Sequence, residues 1–328
     1  MLTEKTRSHF ESLFEFAPIS LWEEDFSGIK EFFDDVRAEG ITSLDAYLDA
    51  YPEEIEKNMR RIRVIRVNYE TLKMFGAASE QELYRGLDRV FRDEMKKHFR
   101  AQLMALWDGE LEWTGESVNY RLDGELLNIR LRWRVLPGYG SSWKCVLISI
   151  ENITVLKKAE EYLRYLGTHD VMTELYNRAF FEETLLDLET NRTDPVAVVV
   201  IDLNNLKPTN DRYGHQAGDK LIRRAAEVLK AGTESGHMTA RIGGDEFIIL
   251  MPGSSLADTH ELIERIQSLV VVNNQFYREP ELSLSLGAAV SEPGISLEKV
   301  ISLADDEMYK NKGMYHRRRK EDYLDGAW

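Results

Sequence analysis

The sequence predicts an α+β protein of two domains joined by a helix. Three observations predict it. The chain has 328 residues, more than the roughly 100–200 that one domain usually takes. Its first half opens on helical patterns and closes on alternating apolar stretches, the order of a small α+β domain. From Val196 onward the pattern is β-α-β-β-α-β, a split βαβ arrangement.

The elements follow in order. Residues 1–153 form the first predicted domain and hold five of the six tryptophans. IKEFFDDVRAEG and SLDAYLDAYPEEIEKNMRRI have helical periodicity. EWTGESVNYRL, ELLNIRLRWRVLP and WKCVLISIENI alternate with period two, which predicts antiparallel strands with one buried face each. Residues 154–168 form a linking helix in which Leu156, Ala159, Leu163 and Leu166 recur at spacings of 3, 4 and 3. Such a seam suits pairing with a second copy, although the same pattern serves one amphipathic helix lying on its own domain. Residues 169–328 form the second domain. VAVVVID is an almost continuous apolar run, as in a strand buried on both faces. QAGDKLIRRAAEVLKAG, ADTHELIERIQSLVVV and SLEKVISLADDEMYKNK are predicted helices, and MTARI, EFIILMP and ELSLSLGAAV predicted strands. Gly243 and Gly244 join two of those strands and would tolerate the positive φ of a tight hairpin. The helices are expected on one face of the sheet, the framework of polymerase-palm and nucleotidyl-cyclase domains and of many unrelated functions.

Composition narrows the function classes. Forty-two Lys and Arg against 57 Asp and Glu leave a net charge of −15, the wrong sign for general binding to nucleic-acid phosphates. A single cysteine, Cys145, excludes an intramolecular disulfide framework and a Cys-based zinc cluster, and suits a reducing compartment. There is no run of about 18 apolar residues and no apolar N-terminal stretch. The expectation is a soluble, cytoplasmic protein with neither a membrane nor a nucleic-acid partner.

Two carboxylate sites converge in the second domain. Asp202 ends the apolar strand, and Asp245 and Glu246 sit at the tip of the adjacent hairpin. Acids at the ends of neighbouring strands can share a hard cation, with substrate phosphates completing its shell. The bland alternative is an ordinary Gly-Gly hairpin followed by solvated acids. Lys207 and Lys312, taken singly, are equally well surface lysines.

The string Gly243-Gly244-Asp245-Glu246-Phe247 resembles the signature of the GGDEF family of diguanylate cyclases. HDVMTELYNRAFFEE, DLNNLKPTNDRYGHQAGD, LSLGAAV and ADDEMYKNK resemble further family segments in the same order, over about 150 residues. The resemblance implies that Asp202, the Leu203 carbonyl, Asp245 and Glu246 hold Mg²⁺ or Mn²⁺, with Asp245 and Glu246 catalytic. It implies that Asn210 and Asp219 read guanine, whose N1–H and N2–H₂ donors suit a carboxylate, and that Lys207 and Lys312 neutralise phosphates. The implied activity joins two GTP into cyclic di-GMP with release of two pyrophosphates, across a homodimer. Departures are Glu174 in place of a usual Gly, Leu206 in place of Phe, and Tyr315-His316 in place of Gly-Arg, which leaves Arg317 or its neighbours for that phosphate contact. The family's inhibitory Arg-x-x-Asp is Glu234 and His237 here, so that site is expected to be missing. Two other readings are a degenerate domain that binds GTP without turnover and a structural dimerisation module, which would leave the acidic cluster unexplained.

The N-terminal part resembles a PAS sensor domain. FEFAPISLWE is similar to its opening, RVIRVNYETLKMFGAAS (with Asn68 and Phe75-Gly76) to its second strand and first helix, and VLISIENITVLKKAE to its exit. A helical insertion of about 35 residues separates the first two strands. The resemblance implies a small-molecule ligand or none. Cys145 lies in a strand and not in the helical setting a flavin-thiol site needs, and His98 fits a solvated helix residue better than a haem ligand.

Overall fold

A computed structural model of the chain describes residues 4–92, 95–191, 195–277 and 279–325, without the side chains of residues 4–7, Lys96, His316 and 318–325. The chain divides into two compact units, Met1–Glu160 and Glu161–Trp328. Among the described residues no helix is long and apolar enough to cross a membrane.

The first unit begins with α1 (Glu4–Glu15) and β1 (Ser20–Asp25), followed by α2 (Ser27–Ala38), α3 (Leu44–Ala50) and α4 (Glu53–Arg61). Then come β2 (Arg63–Val67), α5 (Tyr69–Phe75), α6 (Glu80–Arg85), α7 (Leu87–Val90) and α8 (Met95–Trp107). A hairpin of β3 (Glu112–Tyr120) and β4 (Leu126–Val135) and then β5 (Val146–Asn152) complete an antiparallel sheet in the order β2-β1-β5-β4-β3. The three alternating stretches became β3, β4 and β5. In β4, Leu127, Ile129, Leu131, Trp133 and Val135 all turn into the core. The long helical pattern over 43–62 is broken in two. Tyr51 takes an extended φ of −132° before Pro52, whose ring disfavours the helical region for the residue ahead of it and whose missing N–H suits a helix start. β1 shows no apolar alternation in sequence because Ser20, Glu24 and Asp25 are buried along with Trp22.

The linking helix is α9 (Thr154–Thr168). Val155, Leu156, Ala159 and Leu163 are exposed on it, and Leu166 is half-buried.

The second unit contains α10 (Arg178–Asn191), β6 (Val196–Leu203), α11 (Leu206–Tyr213), α12 (His215–Gly232), β7 (Met238–Arg241) and β8 (Glu246–Pro252). α13 (Leu256–Phe276), β9 (Leu284–Val290) and α14 (Leu297–Asp325) follow. The sheet is antiparallel in the order β7-β8-β6-β9. The helices do not share one face, as the sequence suggested. Ala197, Val199, Ile201 and Leu203 of β6 pack with Leu221, Ala225, Leu262 and Ile266 of α12 and α13. Val196 and Val198 pack the other way, with Phe181 of α10 and Leu297, Val300 and Ala304 of α14. Cover on both faces explains the continuous apolar run of β6 in an antiparallel sheet.

The contact that seats α14 is at Gly287 of β9. A Cβ there would lie 2.1 Å from the backbone nitrogen of Met308 and 2.2 Å from the carbonyl oxygen of Ala304. Backbone atoms cannot swing aside as a side chain can, so Gly287→Ala must push the helix off the sheet. We expect a loss of about 3 kcal/mol, seen as a fall of roughly 6–12 °C in the melting temperature of the second unit by calorimetry. An unchanged melting temperature would show that α14 is not seated by this contact.

Candidate active site

β6 and β8 bring the acids together. Asp202, one residue from the end of β6, pairs across the ladder with Glu246, the first residue of β8. Opposite residues of an antiparallel pair lie about 5 Å apart on one face, here the face covered by α14. The backbone continues the pairing one step beyond the strand, because Leu203 N–H donates to the Asp245 carbonyl at 2.8 Å. Asp202 is 6% exposed, whereas Glu246 is open to solvent. The Lys312 ammonium reaches from α14 and donates to Asp202 Oδ2 at 2.7 Å. A buried carboxylate requires a counter-charge, and Lys312 supplies it.

The hairpin tip is held from below by Arg241, which the sequence reading missed. Its Nε and Nη2 donate to the Gly243 and Gly244 carbonyls at 3.1 and 2.9 Å. Its Nη1 donates to both Asp170 oxygens at 3.1 and 3.2 Å. Burial alone would raise the Asp170 carboxyl, but hydrogen bonds from Thr173 and Arg241 and the charge of Arg241 outweigh it and hold the group below its ordinary value. Neither Gly243 nor Gly244 takes a positive φ, contrary to the hairpin expectation. Gly243 answers to space instead, since a Cβ there would lie 3.1 Å from Glu246 Oε2.

Asp170 belongs to a loop that also fastens α9. Asn177 Nδ2 donates to the carbonyls of Leu166 and Gly167 at 3.3 and 3.0 Å, and its Oδ1 accepts from Phe180 N–H at the start of α10. The adjacent Tyr176 exchanges backbone hydrogen bonds with β7, accepting from Arg241 N–H at 2.9 Å. A hydrogen-bonded path therefore runs from the end of α9 to the acidic hairpin. Glu174 in this loop has φ +58°, a left-handed conformation that costs a non-glycine residue about 1–2 kcal/mol. That explains why glycine is usual there, and the substitution lies outside the acidic cluster.

The predicted nucleotide residues sit on α11 and α12. Asn210 lies with its Oδ1 buried and without a hydrogen-bond partner. A Cβ on Gly218 would come within 2.0 Å of that oxygen, so a larger residue there would displace the Asn210 side chain from its place against the turn of α12 that carries Asp219. Asp219 is half-buried, and Lys207 is exposed one turn before Asn210. Tyr315, one of the departures, accepts a hydrogen bond from Asn205 Nδ2 at 2.5 Å and ties α14 to the loop after β6. Arg317 is exposed, and the His316 side chain lies outside the described residues. Glu234, at the position of the absent inhibitory arginine, accepts instead from Arg265 Nη1 at 2.6 Å.

The expected metal residues thus share one end of the sheet. Even so, no three Asp, Glu, His or Cys side chains among the described residues converge closely enough to hold a metal ion. The donors still suit a hard divalent cation, since Asp202, Glu246 and Asp245 offer only oxygen and the Lys312 ammonium stands in as the positive charge at Asp202.

Residues 167–318 match the family model for "Diguanylate cyclase, GGDEF domain". Diguanylate cyclase DosC of Escherichia coli (strain K12) is 36% identical over 165 residues, covering 48% of this chain and 36% of the relative. Diguanylate cyclase DgcM of the same organism is 29% identical over 201 residues, covering 60% of this chain and 48% of the relative. The chain therefore spans less than half the length of either. The solved coiled coil and GGDEF domain of DgcB from Caulobacter crescentus, in complex with c-di-GMP, is 28% identical with a TM-score of 0.44, covering 49% of this chain and 88% of that one. The second unit carries a GGDEF domain. The family match does not reach the N-terminal unit.

Arg241→Ala should unclamp the hairpin, at a cost of about 2 kcal/mol at neutral pH, with faster hydrogen exchange at residues 243–246. Asp170 titrates below its ordinary value of 3.8, so the pair's contribution is complete above that value and vanishes as pH falls through the folded pKa. The stability gap between variant and wild type in urea titrations should narrow below about pH 4. A gap that does not change with pH would show that the pair is not the cause.

Proposed function

We propose that the protein is a diguanylate cyclase that condenses two GTP into cyclic di-GMP, under the control of an N-terminal PAS-like sensor acting through α9. The observation that carries the reading is the Asp202–Glu246 pair across the β6–β8 ladder, within the domain that matches the GGDEF family. Each protomer would hold one GTP, and two protomers would face one another. The 3′-hydroxyl of one GTP attacks the α-phosphorus of the other in line; the new O3′–P bond replaces the bond to the β-phosphate oxygen, and pyrophosphate leaves. A second, symmetrical transfer closes the ring.

The residues position groups and neutralise charge. Asn210 and Asp219 would orient guanine, and the unpartnered Asn210 oxygen is an acceptor suited to its amino group. Asp202, Asp245, Glu246 and the Leu203 carbonyl would hold Mg²⁺ or Mn²⁺. When bound, the cation supplies Lewis-acid stabilisation of phosphoryl charge and a lower pKa for the attacking hydroxyl. Lys312 and Lys207 would face phosphate. A five-stranded antiparallel sheet with a helical insertion between β1 and β2 supports the sensor reading. The exposed leucines of α9 support pairing with a second copy. A GTP substrate and the lone thiol Cys145 fit the cytoplasm. A second reading, GTP binding without turnover, is favoured by the departures at Glu174 and Tyr315-His316 from the family's pattern.

Incubation with GTP and Mg²⁺, followed by chromatography, should yield cyclic di-GMP and pyrophosphate in a ratio of about one to two, by the balance above. Asp245→Ala or Glu246→Ala should fall to about a hundredth of that rate or lower, with an unchanged circular dichroism spectrum. Retained activity in both variants overturns the site assignment, and bound GTP without products establishes the second reading.

Control through α9 has its own test. Removing one residue between Leu156 and Leu163 turns the following helix by about 100°, whereas removing seven nearly restores the face. Cyclase activity should collapse in the first variant and largely recover in the second. Equal activity in the two would make α9 a tether only.

A further inference from the structure

We propose that a cavity inside the N-terminal unit binds an organic cation, an amine on an apolar and largely aromatic body, with Glu24 as its counter-charge. The site deepens the sensor reading and rests on it for its biological use alone. The cavity measures about 500 Å³, within the 300–1,000 Å³ or so typical of small-molecule sites. Trp22, Leu131, Ile148 and Ile150 of the sheet line one side, and Met95 and Phe99 of α8 another.

Glu24 is the anomaly in this wall. It stands on β1, between β2 and β5, two residues from Trp22 and turned to the same covered face. It is 6% exposed. Its carboxyl has no hydrogen-bond or ion-pair partner among the described residues, and burial pushes its pKa up to about 8. An unpaired acid on the inner face of a central strand works against folding. Across the cavity wall Gln102 of α8 is 4% exposed, and its Nε2 has no acceptor.

The other charges at the cavity are engaged elsewhere or outnumbered. On α4, Arg60 pairs with Glu56 at 2.7 Å. Arg92 stacks on the Tyr120 ring at 4.2 Å. Asp88 of α7 adds a second negative charge to the lining. On α6, burial and the charges of Glu80 and Glu24 push the Tyr84 phenol up to about 12. Among the described residues no cation is committed to Glu24, while a lining that includes Trp22, Phe26, Phe91 and Phe99 suits a cation brought from outside. An ammonium donating to Glu24 supplies the missing partner, and an acceptor on the same ligand would satisfy Gln102.

Calorimetric titration of the full chain with tryptamine, the bulkier amine imipramine, the alcohol tryptophol and the acid indolepropionate tests this. The amines should bind about tenfold or more tightly than tryptophol, and the acid weakest of all. Glu24→Gln should erase the amine preference, leave tryptophol unchanged and raise the melting temperature of the unliganded protein. The wild type gives a check that needs no variant. Glu24 enters as the neutral acid and leaves as a carboxylate paired with ammonium, so each amine bound at pH 7 releases about one proton, read from buffers of different ionisation enthalpy. Tryptophol releases none. Equal binding of amine and alcohol, undiminished amine binding by Glu24→Gln, absence of proton release, or no binding of either amine overturns the proposal. Amine binding that leaves the cyclase rate unchanged overturns the sensor reading and leaves the site standing.

Discussion

Arg241 holds the acidic hairpin in place. One guanidinium, with a side chain only 12% exposed, satisfies the carbonyls of Gly243 and Gly244 and both oxygens of Asp170. A two-glycine loop left alone has wide backbone freedom. Here its conformation is set by a planar fork of donors, a geometry that lysine could not reproduce. Because Asp170 lies in the loop that Asn177 fastens to the end of α9, one chain of hydrogen bonds links the hairpin tip to that helix end.

The acids themselves pose a charge problem. Asp202 is buried at the end of a strand covered on both faces, and its partner across the ladder is another carboxylate, Glu246. Like charges directly opposite in a sheet are destabilising. Lys312 relieves the strain, and it reaches Asp202 only because α14 lies close on β9 at Gly287. Packing at a glycine more than eighty residues from Asp202 thus decides how a buried carboxylate is compensated.

The N-terminal unit shows the converse. Its core is continuous from Trp22 through Phe33 and Leu103 to Trp133, yet it retains an acid unpaired among the described residues and a cavity beside it. Folding alone would favour an apolar residue at Glu24. Such a local conflict with packing is the usual mark of a site.

Much was legible without coordinates because it is written in short-range pattern. The alternation of β3 to β5, the apolar run of β6 and the order of elements after Val196 follow from periods of two and 3.6 residues, and the hairpin acids from five consecutive residues. Other features depend on residues far apart in the chain. The pairing of Arg241 with Asp170 spans 71 positions and that of Lys312 with Asp202 spans 110, and no local pattern encodes such contacts. The placement of helices on both faces of the second sheet, the left-handed Glu174 and the buried Glu24 were likewise settled in three dimensions. Local sequence determined which elements form and which residue types reach the site. Tertiary packing decided which charges meet, because a buried charge takes whatever partner the packed chain brings within reach.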